Sequence, residues 1–172
     1  MKKLVAFRIS MYFCFAVSVA SLIGCYSFTG ASVPQHWTSI AIPLFDDESG
    51  YGYAALRESV TNMLIAKFQR DNTLRLRDKG AASVEMSGVI TSIEADQPIA
   101  VSQGSQAARN QLVIRATVVL HDNVQKKQAW KKTFSASADY APSGGTAARD
   151  AGLQQAIEKL TDDILLETIS AW

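Results

Sequence analysis

The most constraining feature of this chain is a strict two-residue alternation beginning at Leu112. Leu112, Ile114, Ala116, Val118 and Leu120 define one face of a strand, and Val113, Arg115, Thr117, Val119 and His121 define the other. A segment of this kind buries one face and keeps the other wet. Asp122 to Lys127 reads as a turn, and Trp130, Phe134, Ala136 and Ala138 mark a returning strand. Symmetry about Gln125 sets Val118 opposite Lys132, Ala116 opposite Phe134 and Arg115 opposite Ser135. Lys132 then falls on the apolar face, which leaves the register near Trp130 open. The second face, with Arg115, Thr117, Lys131, Thr133 and Ser135, is polar and should be solvated.

A sheet with one apolar face needs a cover, and two helical stripes supply it. From Ala54 to Asp71, the residues Leu56, Val60, Met63, Leu64 and Phe68 share one face. After the break Asp139 to Gly145, Thr146 is a plausible N-cap for a final helix. Leu153, Ile157, Leu160, Ile164, Leu165 and Thr168 line one side of that helix. Other strands are expected at Ser39–Phe45, where Pro43 favours an edge or an end, and at Leu74–Arg77. A long strand is expected from Ser83 to Ala95, with a bulge at Gly88, where the alternation slips. These elements make an α+β fold. It is a two-layer sandwich in which two amphipathic helices cover one face of a mixed, mostly antiparallel sheet.

The N-terminus is of a different kind. Lys2, Lys3 and Arg8 precede an apolar run from Met11 to Ile23, and Leu22-Ile23-Gly24-Cys25 follows. The run is shorter than the roughly 20 residues needed to span a bilayer and is interrupted by Ser18 and Ser21. Its end resembles a bacterial lipobox. That likeness implies removal of residues 1–24, a diacylglycerol and an N-acyl chain on Cys25, and a lipidated tether over residues 25–37. Within the tether His36 reads as a solvated linker residue and Trp37 as packing on the start of the domain, residues 38–172. One fatty chain binds a membrane only marginally, and about three hold it firmly. Tyr26, rather than aspartate, follows the cysteine, which by the same likeness directs the protein to an outer membrane.

Removing 24 of the 172 residues leaves 148, enough for one domain. Three of the 17 basic residues and none of the 16 acidic ones leave with them, so the remainder carries a net charge of −2. No nucleic-acid partner is expected at that balance. Cys14 departs and Cys25 carries lipid, so no thiol remains to form a disulfide. Asp46, Asp47 and Glu48 do not follow calcium-loop spacing. His121 lacks a ligand or nucleophile partner at motif spacing, and no phosphate loop is present. Neither a catalytic residue nor a metal or other cofactor is expected.

Taken together, the lipobox cysteine, short tether, Ile40-Ala41-Ile42-Pro43-Leu44-Phe45, acidic Ser-Gly turn, helix, three strands and final helix resemble the LptE family. These are lipopolysaccharide-assembly lipoproteins of the outer membrane, and the likeness covers nearly the whole mature chain. It implies a non-enzymatic protein, anchored through Cys25, that sits in the lumen of an LptD-type β-barrel. There it supports barrel assembly and helps deliver lipopolysaccharide to the outer leaflet, facing the periplasm or lying within the lumen. Lipopolysaccharide carries phosphates, which suit arginine and lysine. Arg109, Arg115, Lys126, Lys127, Lys131 and Lys132 are the candidate contacts. Other outer-membrane lipoproteins share an opening strand and acidic loop of this type. An adaptor for a cell-wall synthase or an export-pore subunit is therefore the alternative, although Arg115, Lys131 and Thr133 argue against a lipid-facing hairpin.

Overall fold

A computed structural model describes residues 33–99 and 109–170, all within the compact unit Ala31–Trp172. Cys25 and the signal-like segment lie outside the described residues. The order of elements is β1 (Ser39–Ala41), β2 (Asp46–Asp47), α1 (Leu56–Asp71), β3 (Arg75–Leu76), β4 (Val84–Ile99), β5 (Arg109–Asp122), β6 (Lys127–Tyr140) and α2 (Gly145–Ser170). A 3₁₀ turn, Pro142–Gly144, precedes α2. The strands form one sheet in the order β3-β1-β4-β5-β6, with β2 also pairing with β4. β1 runs parallel to β3 and β4, while β4, β5 and β6 are antiparallel. The sheet is therefore mixed, and the class is α+β.

The hairpin register follows the sequence symmetry. Val118 faces Lys132, Ala116 faces Phe134, and Arg115 faces Ser135. Near Trp130 the pairing slips: Leu120 faces Trp130 but His121 faces Gln128. That shift leaves Ala129 as the extra residue of a bulge. Lys132 does sit on the helix side, where it forms an ion pair with Glu167 of α2. An exposed sheet edge lets its ammonium leave the core while its methylenes remain against it.

The core lies between the sheet and both helices. Val84, Met86 and Ile90 of β4, and Leu112, Ile114, Ala116, Val118 and Leu120 of β5, meet the helices there. Leu56, Val60, Leu64 and Phe68 of α1 and Leu153, Ile157, Leu160 and Ile164 of α2 pack against them. The 26 residues of α2 span about 39 Å. That nearly matches the roughly 46 Å of the 14-residue β5, so one helix covers most of the hairpin. Lys67 ties α1 to α2 by donating to the Glu158 carbonyl at 2.8 Å and by pairing with Asp162. Asn72 ends α1 in the left-handed conformation, its N–H donating to the Phe68 carbonyl.

Three local expectations are corrected. The first strand stops at Ala41 and resumes only as Asp46–Asp47, because Pro43 breaks the ladder. Between these pieces Phe45 is held by α1: its N–H donates to Thr61 Oγ1 at 3.0 Å, and its carbonyl accepts from Arg57 Nε at 2.9 Å. Gly88 is not a bulge. It lies in register opposite Val118, and the shift falls between Ile90 and Ser92, at Thr91. Gly88 faces the core, where a Cβ would stand 2.0 Å from Phe45 Cε1, so glycine is required by the ring above it. Thr146 lies inside α2 rather than at its cap. The helix begins at Gly145, whose φ of 61° and ψ of −145° suit glycine alone.

Candidate functional site

The face of the sheet away from the helices is open. Glu85, Ser87 and Val89 of β4, Arg115, Thr117 and Val119 of β5, and Lys131, Thr133 and Ser135 of β6 lie on it. The Thr117 and Thr133 hydroxyls pair across strands at 3.0 Å. A shallow cleft of ≈ 430 Å³ crosses this face between Leu44, Lys79, Val89, Val119 and Lys131. Leu44 beside it is 46% exposed. The surface is polar with short aliphatic patches, which suits a solvated contact rather than lipid.

The six basic candidates do not form one cluster. Arg115 and Lys131 share the open face, about 14 Å apart from four residues along and one strand across. Arg115 is already engaged, pairing with Glu94 and donating to Ser92 Oγ at 3.3 Å. Lys131 is exposed. Lys126 and Lys127 stand at the β5–β6 turn, while Arg109 opens β5 at its far end. Lys132 is on the opposite face with Glu167. Side-chain alternation and strand length separate residues that stand close together in the sequence.

A buried polar clamp escaped the sequence reading. Asp122 ends β5 and is only 1% exposed. Its Oδ2 accepts from Trp37 Nε1 at 2.8 Å and from His36 Nε2 at 2.7 Å, and its Oδ1 accepts from the Gln125 N–H at 2.8 Å. Burial alone would push this carboxyl up. The hydrogen bonds from Trp37, Gln125 and His36 outweigh burial and hold it down at about 2. His36 is thus docked on the domain, not a solvated linker residue, and Trp37 belongs to the core. Val33 also packs against that core, so the folded unit starts ahead of residue 38. The available signal was an aspartate closing an apolar strand, which reads as an ordinary turn residue.

At the other end of the strands, Asp96 adopts φ 59° where β4 shifts register again. Its N–H donates to the Tyr140 hydroxyl at 3.1 Å, and that hydroxyl donates back to its carboxylate. Burial, reinforced by the bond to Asp96, raises the Tyr140 pKa above the ordinary phenol value. Arg149 lies 5.9 Å from the centre of the Tyr51 ring and 3.7 Å from Asp96. This cluster fastens the acidic loop and β4 to the start of α2.

Among the described residues, no three His, Cys, Asp or Glu side chains gather to hold a metal. No helix among them is long and apolar enough to cross a membrane. A helix-backed sheet with one solvated face defines a two-layer domain of the α+β class. The same fold occurs in a Xanthomonas campestris protein of the DUF330 family model. That match has 13% identity and a TM-score of 0.59, covering 81% of this chain and 90% of that one. It also occurs in PelC of Paraburkholderia phytofirmans, solved as a dodecamer, with 13% identity and a TM-score of 0.51 over 82% and 95% of the two chains. A minor lipoprotein of Acinetobacter baumannii aligns at 11% identity and a TM-score of 0.50 over 78% and 92%. A sequence search among curated proteins finds no match. The model of the lipopolysaccharide-assembly family LptE matches residues 37–168, and the chain belongs to that family. It is a family of outer-membrane lipoproteins serving lipopolysaccharide assembly, and not one of enzymes.

Proposed function

We propose that the protein is anchored to the outer membrane through acylated Cys25 after loss of residues 1–24. Its domain plugs the lumen of an LptD-type β-barrel, supports that barrel's assembly and assists lipopolysaccharide delivery to the outer leaflet. The observation that carries this reading is the family match across the whole folded domain. The open sheet face supports it, because a water-filled barrel lumen favours a folded insert with a polar exterior. Contacts to lipopolysaccharide phosphate are assigned to the open face, to exposed Lys131 and, about 14 Å away, to Arg115, which pairs with Glu94.

Photo-crosslinkers placed at Thr117 and Thr133 in the native membrane test the reading. A large outer-membrane barrel should be trapped, and depletion of the protein should leave that barrel misassembled. Capture of a cell-wall synthase with normal barrel assembly would replace the plug by the adaptor.

A further inference from the structure

We propose that the end of the domain from which the tether leaves docks on the anionic surface of the bilayer, with Arg70, Arg75, Arg77, Lys126 and Lys127 as its head-group contacts. The inference rests on the reading of Cys25 as the lipid anchor. The Asp122 clamp determines where the chain enters the fold: Trp37 is buried against the β5–β6 turn, and His36 is bonded beside it. Eight residue-to-residue steps lead from Cys25 to Val33. Fully extended they reach at most about 28 Å, so this end of the domain stays close to the membrane.

The charge pattern is the second observation. Seven of the 14 basic side chains of the domain are internally committed, and Arg109 and Lys131 are the only others outside the tether end among the described residues. Arg57, Lys67, Lys79, Arg115, Lys132 and Arg149 each pair with a carboxylate. Lys159 donates to the Ser137 carbonyl. The five cations at the tether end are exposed and have no ion pair among the described residues. Asp71 and Asp78 are the exposed acids closest to them in sequence, and Asp122 is buried and already bonded. With Asp122 ionised, that end therefore carries an excess of two positive charges on a mature chain whose net charge is −2. Arg75 and Arg77 line an open cleft of ≈ 720 Å³ with Trp37 and Thr73, large enough to admit head-group phosphates. Lys127 lines a second cleft that also borders Trp37, with His36 and Gln125. Cations spread along one end of the sheet and held near an anionic leaflet are drawn to it within about a Debye length.

The test uses the full acylated protein in vesicles of phosphatidylethanolamine, with or without phosphatidylglycerol. A fluorophore is placed on Gln125→Cys at the tether end or on Ser143→Cys at the opposite end, and quenching by a head-group quencher is read. In phosphatidylglycerol vesicles, quenching at position 125 should exceed that at 143 several-fold. The difference should vanish in the variant R75Q/R77Q/K126Q/K127Q. It should also vanish for the unmutated charges in roughly 0.5 M salt, where the Debye length is about 4 Å. Equal quenching at both positions, or no dependence on phosphatidylglycerol and salt, overturns the docking. So does quenching that arises only when lipopolysaccharide is added. Mass spectrometry of the same sample reads the anchor separately. Acylated Cys25 without charge-dependent quenching removes the docking alone, whereas a missing acyl group removes the anchor and the docking with it.

Discussion

Asp122→Asn is the most informative perturbation of this fold. The native carboxylate accepts three hydrogen bonds, from Trp37 Nε1, His36 Nε2 and the Gln125 N–H. Asparagine keeps the shape but turns one acceptor oxygen into an NH₂ donor facing these donors. Hydrogen bonds to a charged group contribute about 1.5 to 3 kcal/mol each and are not additive. A loss near 3 kcal/mol is therefore expected, or roughly 2 M in the urea midpoint at a slope of about 1.5 kcal/mol per M. The pH dependence gives an independent measure. The folded carboxyl is held at about 2, below the ordinary aspartate value of 3.8. The stability it contributes is fully present above about pH 4 and is lost as pH falls through 2. The lowered pKa corresponds to about 2 kcal/mol. Urea titrations from pH 6 to 2 should show this loss in the native protein, and the asparagine variant should lack that component. A variant within about 0.5 kcal/mol of native, or one keeping the same acid slope, would refute the clamp.

Gly88→Ala should cost about 1 to 3 kcal/mol by driving a methyl into the Phe45 ring. Combining it with Phe45→Leu should recover part of that loss in a double-mutant cycle. Leu64→Ala and Ile157→Ala each empty a fully buried site, and each should lower stability by about 2 to 5 kcal/mol in chemical denaturation. Arg115→Ala with Lys131→Ala should weaken lipopolysaccharide binding without unfolding the domain, by up to about 1.5 to 3 kcal/mol for each phosphate contact made. Unchanged binding would remove the open face from that role while leaving the plug intact. The mature protein should begin at Cys25 and carry acyl mass, and Cys25→Ser should accumulate as an uncleaved precursor.

The sheet–helix architecture was legible in the sequence because it rests on short periods. Alternation from Leu112 to Leu120 and the symmetric turn set the hairpin register to within the single bulge at Ala129. The apolar stripes from Leu56 to Phe68 and from Leu153 to Ile164 declared which helix faces are buried. Burial of one face per element suffices to choose a two-layer arrangement. Contacts between residues far apart in the chain had no such period. Gly88 marked a slip in alternation, yet its cause is the ring of Phe45, placed there by hydrogen bonds to α1. The actual bulge, at Thr91, lets Ile93 and Ala95 rejoin the core, a parity visible only once β5 is paired. Asp122 became a buried, triply bonded carboxylate because Trp37, 85 residues earlier, folds back on it. The six candidate cations were chosen by type and nearness in sequence. Alternation, the turn and some 46 Å of strand then distributed them over two faces and two ends. A sequence states which side chains are charged; tertiary packing determines which of them are neutralised by neighbours and which remain for a partner.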